Sequence, residues 1–292
     1  MRAWRKGVCL LVAALAVARP TAAATNSVAP PTNAPPLWFP VGETLVYKLR
    51  WGFIPIGKAR VKTECVQENG RVLLAIRYRA KTNHLFDALY PIDDFAESII
   101  EPRTFLSVRF TVKQWRRHAE CDETTVFDYE RRVAKWESRL TGKIREFAIE
   151  PDSRDLIAFM YHLRKDGLKP EENRTFRVMA DDRLFDIHVK TFKPETVKLP
   201  LYGTIEALRL EPEVNFKGLM IENGDVTMWA AQDARRLGIQ AMVRGSLASV
   251  WAVLCHVEGP GDDFWIQAAK QKGGAAPCGD DADVDRSMGA AP

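Results

Sequence analysis

The sequence predicts a mostly all-β fold: a strongly curved antiparallel sheet, half-barrel or barrel-like, with one packed α-helix. Three observations carry this. Apolar and polar residues alternate with period two through most of the chain. Turn residues break the alternation at short intervals, which suits successive hairpins rather than strand–helix–strand units. A single segment has convincing helical character. So many strands cannot lie in one flat open sheet, so the sheet must curl until its apolar face is hidden and its edges are protected.

The chain opens on Arg2, Arg5 and Lys6, runs through an apolar stretch from Val8 to Ala18, and reaches Ala22, Ala23 and Ala24, which fit the A-x-A pattern of a signal-peptidase site. The apolar stretch is well short of the ~20 residues that cross a bilayer. Cleavage after Ala24 is therefore expected, leaving no transmembrane segment and a periplasmic protein, with full secretion as the alternative. Residues 25–36 (TNSVAPPTNAPP) read as a Pro-rich linker, 37–269 as a single β-rich domain, and 270–292 as a disordered tail too polar and small to pack.

Removing the signal segment changes the charge argument. It carries four of the 42 Lys and Arg and no acid, so the remainder balances 38 basic against 38 acidic residues. A domain that neutralises phosphates needs a basic excess, so nucleic acid is excluded as a partner.

Within the domain, Leu45, Tyr47, Leu49 and Trp51 share one face of a half-buried strand. The turn GFIPIG (52–57) leads into a partner strand with Ala59, Val61, Thr63 and Cys65 inward and Arg60, Lys62 and Glu64 outward. Glu68, Asn69 and Gly70 turn the chain into a third, where Val72, Leu74, Ile76 and Tyr78 alternate with Arg77, Arg79 and Lys81. Further strands are expected at 96–101, 106–116, 124–135, 175–179, 184–192, 203–211, 225–230, 238–243 and 247–257. The helix falls in PDSRDLIAFMYHLRKDG, where Asp152 or Ser153 caps the start, Asp155 complements the dipole, and Arg164 and Lys165 precede the closing Gly167. Its apolar residues cover more than half its circumference, so it packs on or plugs the sheet.

The segment GETLVYKLRWGFIPIGKARVKTE (42–64) resembles the N-terminal hairpin of the bacterial exported family of domain of unknown function 3108. DSRDLIAFMYHLR (152–164) is similar to that family's helix, and VTMWAAQDARRLGIQAMVRGSLASVWAVL (226–254) to its closing strands. The family usually places two acids after the Trp; here Gln232 replaces the first, leaving Asp233 before Arg235 and Arg236. The resemblance implies export and a β-rich fold, and supplies no activity.

Catalytic signatures are missing. There is no H-E-x-x-H, G-x-S-x-G, P-loop, G-x-G-x-x-G or C-x-x-C, and the five histidines are scattered, so no metal, cofactor or catalytic residue is assigned. The pairs Asp93–Asp94 and Asp181–Asp182 are the enzyme-like features, and both read better as turn residues. Arg77, Arg79, Arg109, Lys113 and Trp115 are the candidate ligand-binding residues: lining a barrel mouth, they would hold an anionic group while the indole stacks on an apolar or sugar face. Cross-strand ion pairing with the acids of the next strand accounts for the same residues without a ligand. Tyr47, Trp51, Trp136, Trp229 and Trp251 belong to the core or to an apolar pocket. Cys65, Cys121 and Cys255 read as small buried hydrophobes; a disulfide among these and Cys278 is the alternative, its pairing left open.

These readings favour a non-enzymatic envelope protein that holds a lipid, amphiphile or glycan on the sheltered side of a curved sheet. The alternatives are an assembly module that binds other envelope proteins, or a carboxylate-dependent hydrolase of envelope polysaccharide. Intact-mass measurement of the protein recovered from the envelope fraction is expected to show a chain that begins at Thr25; a chain retaining residues 1–24 would overturn the assignment of the signal.

Overall fold

Alternating strands joined by tight turns form antiparallel neighbours, and here they do so almost without interruption. The computed structural model describes residues 37–88, 90–116, 119–180, 183–214, 226–244, 248–271 and 278. The signal, the Pro-rich linker, Asp181–Asp182 and most of the expected tail lie outside the described residues. The elements are β1 (Thr44–Trp51), β2 (Ile54–Glu68), β3 (Arg71–Thr82), α1 (His84–Asp87), β4 (Ile92–Ile100), β5 (Ser107–Arg116), β6 (Ala119–Asp128), β7 (Val133–Ser138), β8 (Ile144–Ala148), β9 (Arg154–Asp155), α2 (Leu156–Asp166), β10 (Asn173–Ala180), β11 (Arg183–Leu199), β12 (Gly203–Val214), β13 (Val226–Ala231), β14 (Gly238–Val243), β15 (Val250–Glu258) and α3 (Phe264–Gln271).

The strands make one sheet, in the order β8-β7-β6-β5-β4-β3-β2-β1-β15-β14-β13-β12-β11-β10-β9. Two meanders meet at its centre, where β1 pairs with β15 from Thr44↔Glu258 to Trp51↔Val250. Every pairing is antiparallel except the short parallel one between β9 and β10. The register carries inward residues across the strands as continuous rows; the predicted Leu45, Val61 and Tyr78 continue into Ala96 and Val112.

Curling brings the two arms of the sheet around α2. One side of the helix (Ile157, Ala158, Tyr161) packs with Leu74, Ile76, Ala96 and Phe110. Another (Phe159, Leu163) packs with Phe176, Val178, Ile187, Leu208 and Leu210. That is why its apolar surface extends over so much of its circumference: it has sheet on both sides. The space between the arms is filled by this helix and by inward side chains.

No backbone ladder shuts the roll; side chains do. The β9 edge comes against β4 and β5, where Ser98 Oγ donates to Asp155 Oδ2 (2.7 Å) and Asp155 N donates to Ser107 Oγ (2.8 Å). The other carboxylate oxygen, Oδ1, accepts from Ala158 N (2.9 Å), so Asp155 is also the N-cap of α2. Beside it Arg154 donates to the carbonyls of Phe105 and Thr104, and Tyr129 Oη donates to Ser153 O while accepting from Ser107 N. Buried donors and acceptors must find partners. Here they find them across the gap, which fixes the curvature.

Several expectations need correction. The sheet is barrel-like, as expected, and open, but among the described residues three short helices accompany it, where one was expected. The strand expected at 124–135 is two strands, β6 and β7, separated by a turn in which Arg132 takes positive φ and Arg131 N donates to Asp128 Oδ1. The cap of α2 is Asp155 rather than Asp152 or Ser153. Asp93 and Asp94 are strand residues of β4, with Asp94 buried; they do not form a turn. Cys255 is bonded to Cys278 rather than being a simple buried hydrophobe (Cα–Cα 5.6 Å), which pins the region after α3 to β15. Cys65 and Cys121 carry reduced thiols.

Burial raises the pKa of Asp155 above the ordinary carboxylate value, against the opposing pull of its hydrogen bonds. The folded chain thus holds this proton more tightly than the unfolded one. Its contribution to stability is complete below about pH 4 and declines as pH rises through the raised folded value. Urea unfolding from pH 4 upward should show wild type losing stability relative to Asp155→Asn as pH rises. Asp155→Ala, which removes the cap and the Ser98 bond together, should cost about 2–4 kcal/mol.

Candidate functional site

Side chains at Arg77, Arg79, Arg109, Lys113 and Trp115 all project to the outer face of the sheet, because each alternates with an inward residue of β3 or β5. The structure brings them onto neighbouring strands, with β4 between. Arg77 Nε lies 2.6 Å from Glu97 Oε2, and its guanidinium also pairs with Glu64. Arg79 makes a two-bond fork with Asp93 (3.0 and 3.1 Å), and Arg109 another with Glu68 (3.1 and 2.7 Å). The carboxylates come from β2 and β4 rather than from β6, where the sequence suggested them. Lys113 and Trp115 sit opposite Asp122 and Glu120 of β6 in register.

A second charged group lies inside. Glu43, just before β1, is wholly buried and receives both Arg164, from the end of α2, and Arg235, from the β13–β14 turn. Arg164 binds it at 2.9 and 3.3 Å and Arg235 at 3.2 Å, while Arg235 also holds Asp263. The Arg164 guanidinium stacks on Phe39 and Tyr161, with centroids 5.0 and 4.7 Å away. Arg236 donates to the carbonyls of Arg164 and Lys165, and Asp233 accepts from Trp265 Nε1. The Trp–Asp–Arg–Arg pattern of the closing strands is therefore structural: it ties α2, the β13–β14 turn and α3 to one buried carboxylate. Burial pushes the Tyr47 and Tyr161 phenols far above their usual range, so both stay neutral.

Among the described residues, a concavity opens on the surface of β11 and β12. Thr191 faces Leu210 and Pro194 faces Leu208, so two residues of β11, Phe192 and Lys193, oppose the single Arg209. This is a bulge, and its cause is local: Pro194 has no N–H for the ladder. An open depression of about 490 Å³ results, lined among others by Lys190, Phe192, Lys193, Pro194, Glu195 and Arg209. The Arg209 guanidinium lies 3.9 Å from the Phe192 centroid and Lys190 Nζ 5.3 Å from it. Arg209 Nε, 3.6 Å from Glu211, is buried without a hydrogen-bond partner. Lys193 is largely exposed. Trp229 donates to Glu195 and stacks on Trp251 (6.0 Å, 19°), so this pair supports the wall of the depression, whereas Trp136 is core. The alternating pattern concealed this site, since the strand was expected to end at Phe192. Pro194 inside a run that otherwise reads as strand was the available signal.

Among the described residues no three or more His, Cys, Asp or Glu side chains gather to hold a metal, and no helix is long and apolar enough to cross a membrane. A family model for proteins of unknown function, DUF3108, matches residues 46–245, from within β1 to just past β14. The chain belongs to the DUF3108 family. Among solved structures, this DUF3108 protein is similar to the crystal structure of a beta-barrel-like protein of domain of unknown function DUF1849 from Brucella abortus, at 12% identity and a TM-score of 0.53, covering 76% of this chain and 98% of that one. At that identity the likeness shows a shared fold. No curated protein matches the sequence.

Removing one partner of a buried ion pair leaves the others uncompensated. Glu43→Ala, which strands two buried guanidiniums, should destabilise the DUF3108 domain by about 3–5 kcal/mol in urea unfolding, and a cost under ~1 kcal/mol would show the cluster to be solvated.

Proposed function

We propose that the protein is an exported, non-enzymatic binding protein of the cell envelope, and that its ligand is an anionic amphiphile taken up at the β11 bulge. The observation that carries this reading is the placement of Lys190 and Arg209 against the Phe192 ring in an open depression that Lys193 also lines. An apolar body would cover Phe192 and Pro194, and an anionic head would engage Lys193 and the partly exposed guanidinium of Arg209. The filled space around α2 favours this outer site over one inside the roll. Export is supported by the N-terminal signal pattern and by the Cys255–Cys278 disulfide, a bond that persists in oxidising compartments.

A second reading, docking of another envelope protein, is favoured by a separate feature. Phe53 is 90% and Leu85 86% exposed, with Ile54 and Tyr90 also half open. Asn83, the N-cap of α1, donates through Nδ2 to Pro55 O and so holds α1 against the start of β2, bringing these residues to one end of the sheet. Grouped exposed apolar residues mark interaction surfaces.

Titration with a lysophospholipid or an alkyl phosphate, followed by native mass spectrometry, distinguishes the two. Wild type is expected to bind, and Lys193→Ala with Arg209→Ala to lose about tenfold or more in affinity, since charge-assisted contacts to the head are removed. Equal affinity of wild type and variant, or no binding by either, would sink the reading.

A further inference from the structure

The end of the sheet that carries Phe53 and Leu85 combines a rigid apolar tip with charge of one sign behind it. Phe53 sits in the β1–β2 turn, where Gly52 takes positive φ and its N–H donates to Ser249 O (2.8 Å). Leu85 lies on α1, in the connection from β3 to β4. The two connections are locked together: Asn83 N donates to Ile56 O (2.9 Å) and Asn83 Nδ2 to Pro55 O (2.8 Å), while Gly57 lies so close to β3 that a Cβ there would stand 2.1 Å from Lys81 O. Trp51 and Phe86 meet edge-to-face (6.4 Å) and pack on buried Leu49, Ile56 and Ile92. Phe53 and Leu85 therefore project, almost fully exposed, from a fixed base, with Ile54 and Tyr90 half open.

Behind this tip, residues 44–63 hold Lys48, Arg50, Lys58, Arg60 and Lys62 and no acid. Cations oppose cations across the strands: Lys58 faces Lys48 and Lys81, Arg60 faces Arg79, and Lys62 faces Arg77. Like charges directly opposite each other in a sheet are destabilising. Carboxylates answer several of them, with Glu64 and Glu97 on Arg77, Asp93 on Arg79 and Glu258 on Arg60. Lys58 is buried and engaged, and Asp87 of α1 accepts from Thr82 Oγ1 (2.9 Å). Among the described residues no carboxylate pairs with Lys48, Arg50 or Lys81, all three half-buried. Arg50 stands two residues before Gly52 and Lys81 two before Asn83, so each flanks the apolar tip at ~7 Å of strand.

We infer that this end of the sheet docks on an anionic lipid bilayer, with Phe53, Ile54 and Leu85 entering the acyl boundary, Tyr90 at the interface, and Lys48, Arg50 and Lys81 at the lipid phosphates. A bilayer presents those environments in that order, and interfacial elements bury their apolar side by about 5–10 Å. Tyrosine is favoured at the headgroup level, and each basic residue near the surface adds attraction to anionic lipid. A folded partner would have to offer an apolar pocket with an acidic rim to match the same pattern. Because the tip is held by its own hydrogen bonds, little ordering is needed on contact. The docking does not depend on the β11 depression, and it assigns a lipid surface rather than a protein to this end.

The mature protein should sediment with vesicles of phosphatidylglycerol and phosphatidylethanolamine, more weakly with phosphatidylcholine vesicles, and less as salt rises. Phe53→Ser with Leu85→Ser should lose about tenfold or more in affinity, since two apolar side chains no longer leave water. Circular dichroism and the urea midpoint should match wild type, because both side chains are exposed. Arg50→Gln with Lys81→Gln should lose about threefold or more on the anionic vesicles alone. Photolabelling from an acyl chain that carries a diazirine should mark the peptides containing Phe53 and Leu85. Lys193→Ala with Arg209→Ala should bind vesicles as wild type does; loss there, with none on changing Phe53 and Leu85, would move the contact to β11 and overturn the docking. So would no binding to anionic vesicles, or a protein partner lost on changing Phe53 and Leu85 while vesicle binding stays the same.

Discussion

The roll is held shut around one buried residue, with Arg154 and Tyr129 bonded across the gap beside it. Asp155 caps the helix that fills the sheet, pairs in parallel with Met179 on the last full strand, and meets Ser98 and Ser107 on the opposing arm. A fully buried carboxyl group that found fewer partners would cost more than the closure gains. Three hydrogen bonds to its side chain and amide make the arrangement tolerable, and they also make it specific, because sliding either arm by one residue would move Ser98 to the other face. The Glu43 cluster repeats the logic at the opposite end of α2, where Arg164 anchors the helix to the start of β1 and to the β13–β14 turn.

The helix and its two charged anchors lie between the arms of the sheet, and the proposed binding surfaces are on its outside. Three outer surfaces differ in character. The bulge on β11 combines cations with a partly exposed aromatic ring, the end near Phe53 and Leu85 is apolar, and the face of β1–β3 is a field of opposed cations. Each arises where the regular ladder is interrupted or its charge pattern violates cross-strand pairing. An antiparallel sheet with good local registry offers little else for a ligand to distinguish.

Much of the fold was legible from residues 44–82, where strict alternation fixed the inward and outward sets before any pairing was known. The helix was equally plain, because its capping and closing residues are local signals. The split of 124–135 into two strands was less visible: the turn at Asp128–Arg132 contains no Gly or Pro, and Arg132 adopts positive φ without either. Alternation also placed the five candidate binding residues on one face, but it could not tell a pairing partner from a ligand. Glu68 lies 41 positions from Arg109, and the fork between them exists because β2, β3, β4 and β5 are consecutive neighbours.

By itself the sequence determined the strand-rich class, the outward or inward facing of most side chains, and the presence of one plugging helix, since each follows from the period of the backbone. Tertiary structure alone decided which strands flank β1, where the roll closes, that Cys255 bonds Cys278, and that Glu43 takes two arginines from positions 164 and 235. Those are contacts between residues far apart in the chain. Periodicity records which way a side chain points, and only the folded sheet sets what stands opposite it.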